Sequence, residues 1–189
     1  MTIIQEESGN EAFYKKAIII VNETYFFRGA AKTPALILPS ERAGKERKEY
    51  YNALIEKINK GEINVEYLFS LPRTEEAIIE YVRKNGKNGW EEIKKDWDEL
   101  VDRCATVSLR YIEHDDFISC IIGDHHTLIG WKGGKDKKII GITYMTNGMS
   151  FYKNLFDEIF ATGSNAHLEA IQSIEEKLNE MGLIKHATL

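Results

Sequence analysis

The spacing of the apolar residues changes near Thr106, and this change limits the folds open to the chain. Before it, segments with apolar residues at helical spacing alternate with short apolar runs that are typical of β-strands. After it come four alternating segments and then two amphipathic helices. The predicted strands are Thr106–Ile112, Phe117–Ile122, Thr127–Trp131 and Lys138–Tyr144, and the predicted helices are Phe151–Phe160 and Ser164–Met181. Short links between the four strands predict antiparallel hairpins.

The first half of the chain is predicted to alternate helices with strands. Ser8 and Glu11 form a capping box for a helix over residues 9–23. Further helices are predicted to open near Pro39, Thr74 and Asn88, with Gly61 and Gly86 ending the first two of these. The predicted strands are Tyr25–Ala31 and Ile63–Ser70, and Thr33–Leu38 is an edge strand or a loop because it contains Pro34. Trp90, Ile93, Trp97 and Leu100 form an apolar stripe that is predicted to be core.

These elements predict an α/β or α+β fold in a single domain over residues 1–189. Alternating helices and strands suit parallel pairing, whereas closely spaced strands suit antiparallel pairing. We therefore expect one mixed β-sheet with helices on both faces.

Composition and charge narrow the range of functions. The formal net charge is −5, which argues against a nucleic-acid partner, because phosphate binding needs an exposed basic surface. The lysine-rich link Lys132–Lys138 beside Trp131 is expected to be a solvated turn. Cys104 and Cys120 lie in apolar surroundings without a C-x-x-C pair, as reduced thiols do. We find neither a signal-peptide pattern nor an apolar run long enough for a membrane span, so we expect a cytoplasmic protein.

Polar side chains that could bind a ligand are concentrated between Ser108 and Trp131. Strand alternation places Arg110 and His114 on one face of their strand, and Asp124 and His126 near a hairpin tip, so these groups are expected to gather at one sheet edge. Arginine suits phosphate or carboxylate groups. The predicted ligand-binding residues are Arg28, Arg110, His114, Asp116, Asp124 and His126, and the predicted ligand is a small anion.

Metal-assisted chemistry is an alternative use of the same stretch, because imidazole and carboxylate groups can bind metal or transfer protons. It requires that at least two of its side chains converge within coordination distance. The residues in question are His114, Asp116, Asp124, His125 and His126. The sequence contains no glycine-rich phosphate loop, G-x-S-x-G elbow or H-E-x-x-H motif, so no cofactor and no resident metal are predicted.

The run from Ser108 to Gly130 resembles the core of a phospholipase D-like half-domain, in which a strand leads into the motif H-x-K-x-x-x-x-D. Ile129-Gly130 matches the step that usually closes this run. Asn10–Thr24 is similar to the opening helix of the family. Tyr51–Phe69 resembles its helix, glycine turn and strand, and Phe151–Ala161 resembles its closing helix. The resemblance covers most of the chain and implies a phospholipase D-like fold.

The chain departs from the family at the motif itself. If Gly123 takes the family Asp position, the His and Lys positions fall on Asp116 and Ile118. If Asp124 takes it, they fall on Phe117 and Ser119. Neither register keeps the nucleophilic histidine or the lysine that would neutralise developing charge. The resemblance therefore implies a degenerate member without phosphodiester chemistry, and it further implies a regulatory or ligand-sensing role and pairing into a homodimer.

Two functions of different classes follow. The first is a non-catalytic module that binds a small anionic ligand or a protein partner. The second is a metal-assisted phosphodiesterase or nuclease that uses the histidines and acids between residues 114 and 126.

Overall fold

The structure, a computed structural model, describes residues 2–4, 9–34, 36–37, 45–103, 105–114, 118–133, 138–146 and 150–184. Within these residues the chain forms seven strands in one mixed sheet. The strands are β1 (Thr2–Ile4), β2 (Phe26–Ala31), β3 (Asn64–Ser70), β4 (Val107–Ile112), β5 (Ser119–Ile122), β6 (His126–Gly133) and β7 (Lys138–Thr146). Their order across the sheet is β1-β7-β6-β5-β2-β3-β4.

Five helices pack on this sheet within the described residues. They are α1 (Gly9–Glu23), α2 (Lys45–Lys60), α3 (Leu71–Asp102), α4 (Ser150–Thr162) and α5 (His167–Glu180). Buried residues of α1, α2, α3 and α5 share one apolar core, whereas Phe156 and Phe160 of α4 belong to a second core on the opposite sheet face. The expected mixed sheet with helices on both faces is therefore confirmed.

Strand direction follows the division predicted from the sequence. The three strands β2, β3 and β4 pair in parallel, each followed or preceded by a long helix. Antiparallel pairing joins β2 to β5, β5 to β6, β6 to β7 and β7 to β1. The strand β1 was missed because a run of three residues carries too little periodicity to be recognised.

The predicted hairpin between Thr106–Ile112 and Phe117–Ile122 is wrong. The strand β4 lies at the edge of the sheet beside β3, and β5 pairs with β2 instead, with Arg28 opposite Ile122. The physical reason is that α3 carries the chain to β4 as the third parallel strand. This leaves the other side of β2 open for β5.

Two helix starts differ from their predicted positions. The helix α3 begins at Leu71 rather than Thr74, because the Ser70 hydroxyl accepts a hydrogen bond from the backbone N–H of Arg73 (3.4 Å). The helix α5 begins at His167 rather than Ser164, because Ser164 exchanges two backbone hydrogen bonds with Tyr111. The helix start predicted at Pro39 lies outside the described residues, and α2 is described from Lys45.

The helix stops predicted at Gly61 and Gly86 are confirmed. Gly61 follows α2 with φ of 67°, and Gly182 follows α5 with φ of 66°. Gly86 takes φ of 63° and ψ of −153° and breaks α3 into two helical parts, as the separate predicted helices required. In the second part, Trp90 and Trp97 are fully buried, which confirms the predicted core stripe. Among the described helices, none is long and apolar enough to cross a membrane.

Candidate functional site

The sheet topology separates the polar residues that the sequence placed together. The strand β5 runs antiparallel to β2, so the turn after Ile122, which carries Asp124, lies where β2 begins. The strand β4 runs parallel to β2, so His114 follows β4 at the opposite end of the sheet. At the rise of a β-strand, the two ends are roughly 20 Å apart. The expected gathering of these groups at one sheet edge is therefore wrong.

Asp124 connects the β5–β6 turn to the link between α1 and β2. Its carboxylate accepts a hydrogen bond from the backbone N–H of Tyr25 (2.7 Å), and its own N–H donates to the Thr24 hydroxyl (2.8 Å). That hydroxyl donates in turn to the carbonyl of Phe26 (2.9 Å). A side chain at neighbouring Gly123 would meet Ile20 at 2.6 Å, so α1 packs tightly on this turn. These contacts give Asp124 a structural role.

His126 bridges α1 and β7. Its Nε2 lies 2.9 Å from Glu23 Oε2, and its Nδ1 lies 2.9 Å from the Tyr144 hydroxyl. Because the carboxylate can only accept, Nε2 carries a proton, and Nδ1 shares a hydrogen bond with the Tyr144 hydroxyl. Burial raises the pKa of Tyr144, and the charge of Glu23 adds to this shift. A raised pKa makes that phenol a poor nucleophile, so this cluster is better suited to joining elements than to catalysis.

Arg28 lies between two carboxylates on the α4 side of the sheet. Its Nε is 3.0 Å from Asp157 of α4 and 3.1 Å from Glu66 of β3, and its side chain is only 12% exposed. Its guanidinium also stacks over the Phe26 ring at 4.2 Å. The charge of Arg28 is therefore used to hold α4 on the sheet.

Arg110 holds the end of the same helix. Its guanidinium donates to the carbonyls of Phe160 (3.0 Å) and Ala161 (3.2 Å) at the C-terminus of α4, where the last carbonyls of a helix lack the usual intrahelical partners. It also lies over the Phe160 ring, 4.9 Å from the centroid. A cation at this end is favoured by the helix dipole.

The remaining predicted site residues do not complete a metal centre among the described residues. His114 and His125 are exposed, at opposite ends of the sheet, and Asp116 lies outside the described residues. Within the described part of the chain, no group of three or more histidine, cysteine, aspartate or glutamate side chains could hold a metal ion. Asp124 and His126, two residues apart, are directed to different partners.

A cavity lies under α4 on the second face of the sheet. Its volume is about 240 Å³, and we call it the α4 cavity. Its lining is almost entirely hydrocarbon. The lining residues are Ala30, Leu68, Ile118, Cys120, Ile129, Tyr152, Leu155, Phe156 and Ile159. Burial raises the pKa of the Cys120 thiol to about 12, so this side chain stays neutral at physiological pH.

The mouth of the α4 cavity carries exposed apolar side chains. Ile118 and Leu155 line the cavity and are 50% and 41% exposed. Phe151 stands one helical turn before Leu155 and is 68% exposed, and Trp131 follows Ile129 on the same face of β6 and is 47% exposed. We call Ile118, Trp131, Phe151 and Leu155 the α4 patch. Such clusters on a protein surface mark interaction sites more often than isolated apolar residues do.

The cavity residues were missed in the sequence. The sequence does show one apolar helix face, because its apolar residues recur at helical spacing: Tyr152, Leu155, Phe156 and Ile159. It could not show which sheet face the helix covers, or that Cys120 and Ile129 lie opposite it. That information depends on the pairing of β5 with β2.

Comparisons with known proteins add information on the fold. No protein-family model matches the sequence, and no curated protein matches it. Among solved structures, one match is the archaeal chromatin protein TrmBL2, which is described as showing a novel mode of DNA binding. The two chains are 11% identical, with a TM-score of 0.55. The match covers 87% of this chain and 53% of that chain. A phosphatidylserine synthase from Haemophilus influenzae Rd KW20 matches with 8% identity and a TM-score of 0.40 over 87% of this chain and 42% of that chain.

This chain spans about half of the length of each of these two proteins. At 11% identity, the chromatin protein indicates a shared arrangement of strands and helices and nothing about ligands.

Proposed function

We propose that this chain is a non-catalytic ligand-sensing module of phospholipase D-like fold, and that its ligand enters the α4 cavity. The observation that carries this proposal is the cavity itself, with its exposed mouth at Ile118 and Leu155. Concave apolar sites are where proteins bind most small ligands. In the register that gives Gly123 the family Asp position, Ile118 takes the place of the family lysine. An apolar cavity then adjoins the place where a related enzyme would hold its catalytic groups.

The non-catalytic part of the proposal is supported by how the polar side chains are used. Arg28, Arg110, Asp124 and His126 each make intramolecular contacts of 3.2 Å or less that join separate elements. Neither arginine lines the α4 cavity. This arrangement favours the cavity over the polar groups as the place of binding.

A second candidate function is binding of a protein partner through the α4 patch, which is favoured by its four exposed apolar side chains. A second copy of this chain is the partner to test first, because it would carry both an exposed Phe151 and a cavity that could receive an apolar side chain. Sedimentation of the native chain and of Phe151→Glu over a concentration series tests this. A concentration-dependent dimer that Phe151→Glu abolishes supports it, and a monomer at all concentrations contradicts it.

The ligand-sensing proposal is tested by a fragment screen on protein with labelled isoleucine and leucine methyl groups. The library contains matched anionic, cationic and neutral fragments, and duplex DNA is titrated separately. Shifts confined to Ile118, Ile129, Leu155 and Ile159 support the proposal. Shifts confined to other residues contradict it.

A parallel assay tests whether the chain catalyses a reaction. The purified protein is incubated with bis(p-nitrophenyl) phosphate and either Mn²⁺ or Zn²⁺. We expect no turnover above the metal alone. Metal-dependent turnover that is lost in an Asp116→Ala, His126→Ala double variant would favour the phosphodiesterase alternative.

A further inference from the structure

We infer that the α4 cavity is selective for an uncharged, apolar molecule of about ten non-hydrogen atoms. The inference rests on the proposed function and names the chemical class of its ligand. This ligand class differs from the small anion that was expected from the arginines and histidines in the sequence.

The lining of the cavity excludes charge. Seven of the nine lining residues have side chains of carbon and hydrogen alone, and the other two are Cys120 and Tyr152. The Cys120 thiol is neutral, as described above, and it lies opposite Ile129 in the β5–β6 pair. An ionised ligand buried here would lose its hydration without gaining a counter-charge, and such transfers are strongly unfavourable.

The charged groups beside the cavity already have partners. Arg28 precedes the lining residue Ala30 by two positions on the same face of β2, and it is held by Glu66 and Asp157. Arg110 lies opposite the lining residue Leu68 and caps α4. An anion would therefore have to separate Arg28 from its carboxylates or Arg110 from the helix end. A neutral molecule leaves both sets of contacts intact.

The volume sets the size of the ligand. An engineered cavity of about 150 Å³ with a similar apolar lining holds benzene. Scaled to the 240 Å³ of the α4 cavity, this gives about ten non-hydrogen atoms, the size of a two-ring aromatic molecule or a medium aliphatic chain. The cavity is large enough for such a molecule and too small for a larger polycyclic one.

The anchoring of α4 indicates where the ligand enters. The buried residues of α4 are Phe156 at its midpoint and Phe160 in its second half, and Arg110 fixes the end of that half. In the first half, Phe151 and Leu155 are exposed. Entry between Ile118 and Leu155 would therefore require movement of the less anchored half only.

The test is a methyl-labelled NMR titration of the full chain with three probes: indole, octanoate and inorganic phosphate. We expect indole to shift the methyl groups of Ile118, Ile129, Leu155 and Ile159. The methyl groups of Ile78 and Ile93, in the core on the other sheet face, serve as internal references and should not move. Phosphate should leave all of these signals unchanged.

Two variants make the test specific. Ala30→Val adds methyl groups inside the cavity at a strand position that tolerates β-branched residues, and it should weaken indole binding by about tenfold. Ala161→Val, on the exposed side of α4, is the matched control and should leave the affinity unchanged. If Ala30→Val fails to fold, a size series replaces it: toluene should bind more weakly than indole, and pyrene should not bind.

The possible failures are distinguishable. If octanoate or phosphate shifts the four cavity methyl groups more strongly than indole does, the neutral class is wrong but ligand binding in the cavity stands. If indole binds equally well to Ala30→Val, or if none of the probes shifts the cavity methyl groups, the inference is overturned. In the latter case, fragment hits mapped elsewhere would overturn the proposed function as well.

Discussion

Asp124 illustrates how a side chain that looks reactive in the sequence can be structural. Its position after a strand and beside two histidines is typical of binding sites, yet its carboxylate holds the backbone of Tyr25. Asp residues are also favoured at turns for this purpose, because they accept hydrogen bonds from nearby backbone groups. A structural role predicts that removing the Asp124 carboxylate lowers stability, whereas a functional role predicts that it lowers ligand binding.

We expect Asp124→Ala to lower the free energy of unfolding by about 1–2 kcal/mol, because the hydrogen bond from the backbone N–H of Tyr25 to a charged carboxylate is lost. Indole binding at low temperature should be unchanged, because Asp124 does not line the α4 cavity. Urea denaturation and the NMR titration measure the two quantities. Loss of binding without loss of stability would contradict the structural role.

His167 is a buried histidine that the sequence did not single out. Its ring packs against Phe69, Trp97 and Tyr111. Its Nε2–H donates to the Leu109 carbonyl (3.0 Å), and its Nδ1 accepts from the Trp97 indole (3.3 Å). Burial lowers the pKa of His167, and the hydrogen bond to Leu109 only partly offsets this shift. The neutral ring is therefore part of the core.

The stability of the chain should consequently fall as the pH is lowered. The pKa of His167 in the folded chain lies below its unfolded value of about 6.5, so the unfolded chain binds the proton first. The stabilisation is complete above that unfolded pKa and is lost as the pH falls towards the folded pKa. Urea denaturation between about pH 7.5 and 5.5 measures this slope.

The free energy of unfolding should change less steeply with pH in His167→Gln, whose amide can still donate a hydrogen bond to Leu109. His125→Gln is the matched control, because His125 is exposed, and its slope should equal that of the native chain. Equal slopes in the native chain and His167→Gln would contradict this origin of the pH dependence.

At the level of elements, α3 depends on one glycine. Gly86 takes φ of 63° with ψ of −153°, a backbone conformation that is almost exclusive to glycine. The break redirects the chain, so that the part before it contributes Ile78 and Tyr81 to the core and the part after it contributes Trp90 and Trp97. The sequence predicted the break correctly, because glycine is the strongest local helix terminator.

We expect Gly86→Ala to lower the free energy of unfolding by about 1–3 kcal/mol, since the strained backbone must be kept or the break lost. Gly141→Ala is the control: an added methyl group there meets no atom within 4 Å, so its effect should be small. Thermal unfolding of both variants checks this. Equal stability in the two variants would show that the break is not required.

For the whole molecule, strand partners were harder to predict than strand positions. Periodicity located β2 to β7 within a few residues, because the alternation of buried and exposed side chains is local. The partner of β5 depends on α3 delivering β4 beside β3, which is a long-range property. The wrong hairpin paired β5 with β4, so it did not show that Cys120 lies on the sheet beneath α4.

The same topology favours the α4 cavity over the polar residues as the binding site. The polar residues around the β5–β6 turn and the arginines on the α4 side connect elements to one another. The α4 cavity, on the sheet face covered by a single described helix, is the place where ligand and protein could meet. We therefore propose the α4 cavity, and not the histidines, as the place where the chain acts on a ligand.

A crystal structure of the chain grown with indole tests this account most directly. The account predicts electron density for one indole molecule between Ala30 and Ile129 of the sheet and Leu155 and Ile159 of α4, with the Arg28–Asp157 ion pair intact. An α4 cavity filled with ordered water, with indole bound at the Asp124 turn or nowhere in the molecule, would contradict it.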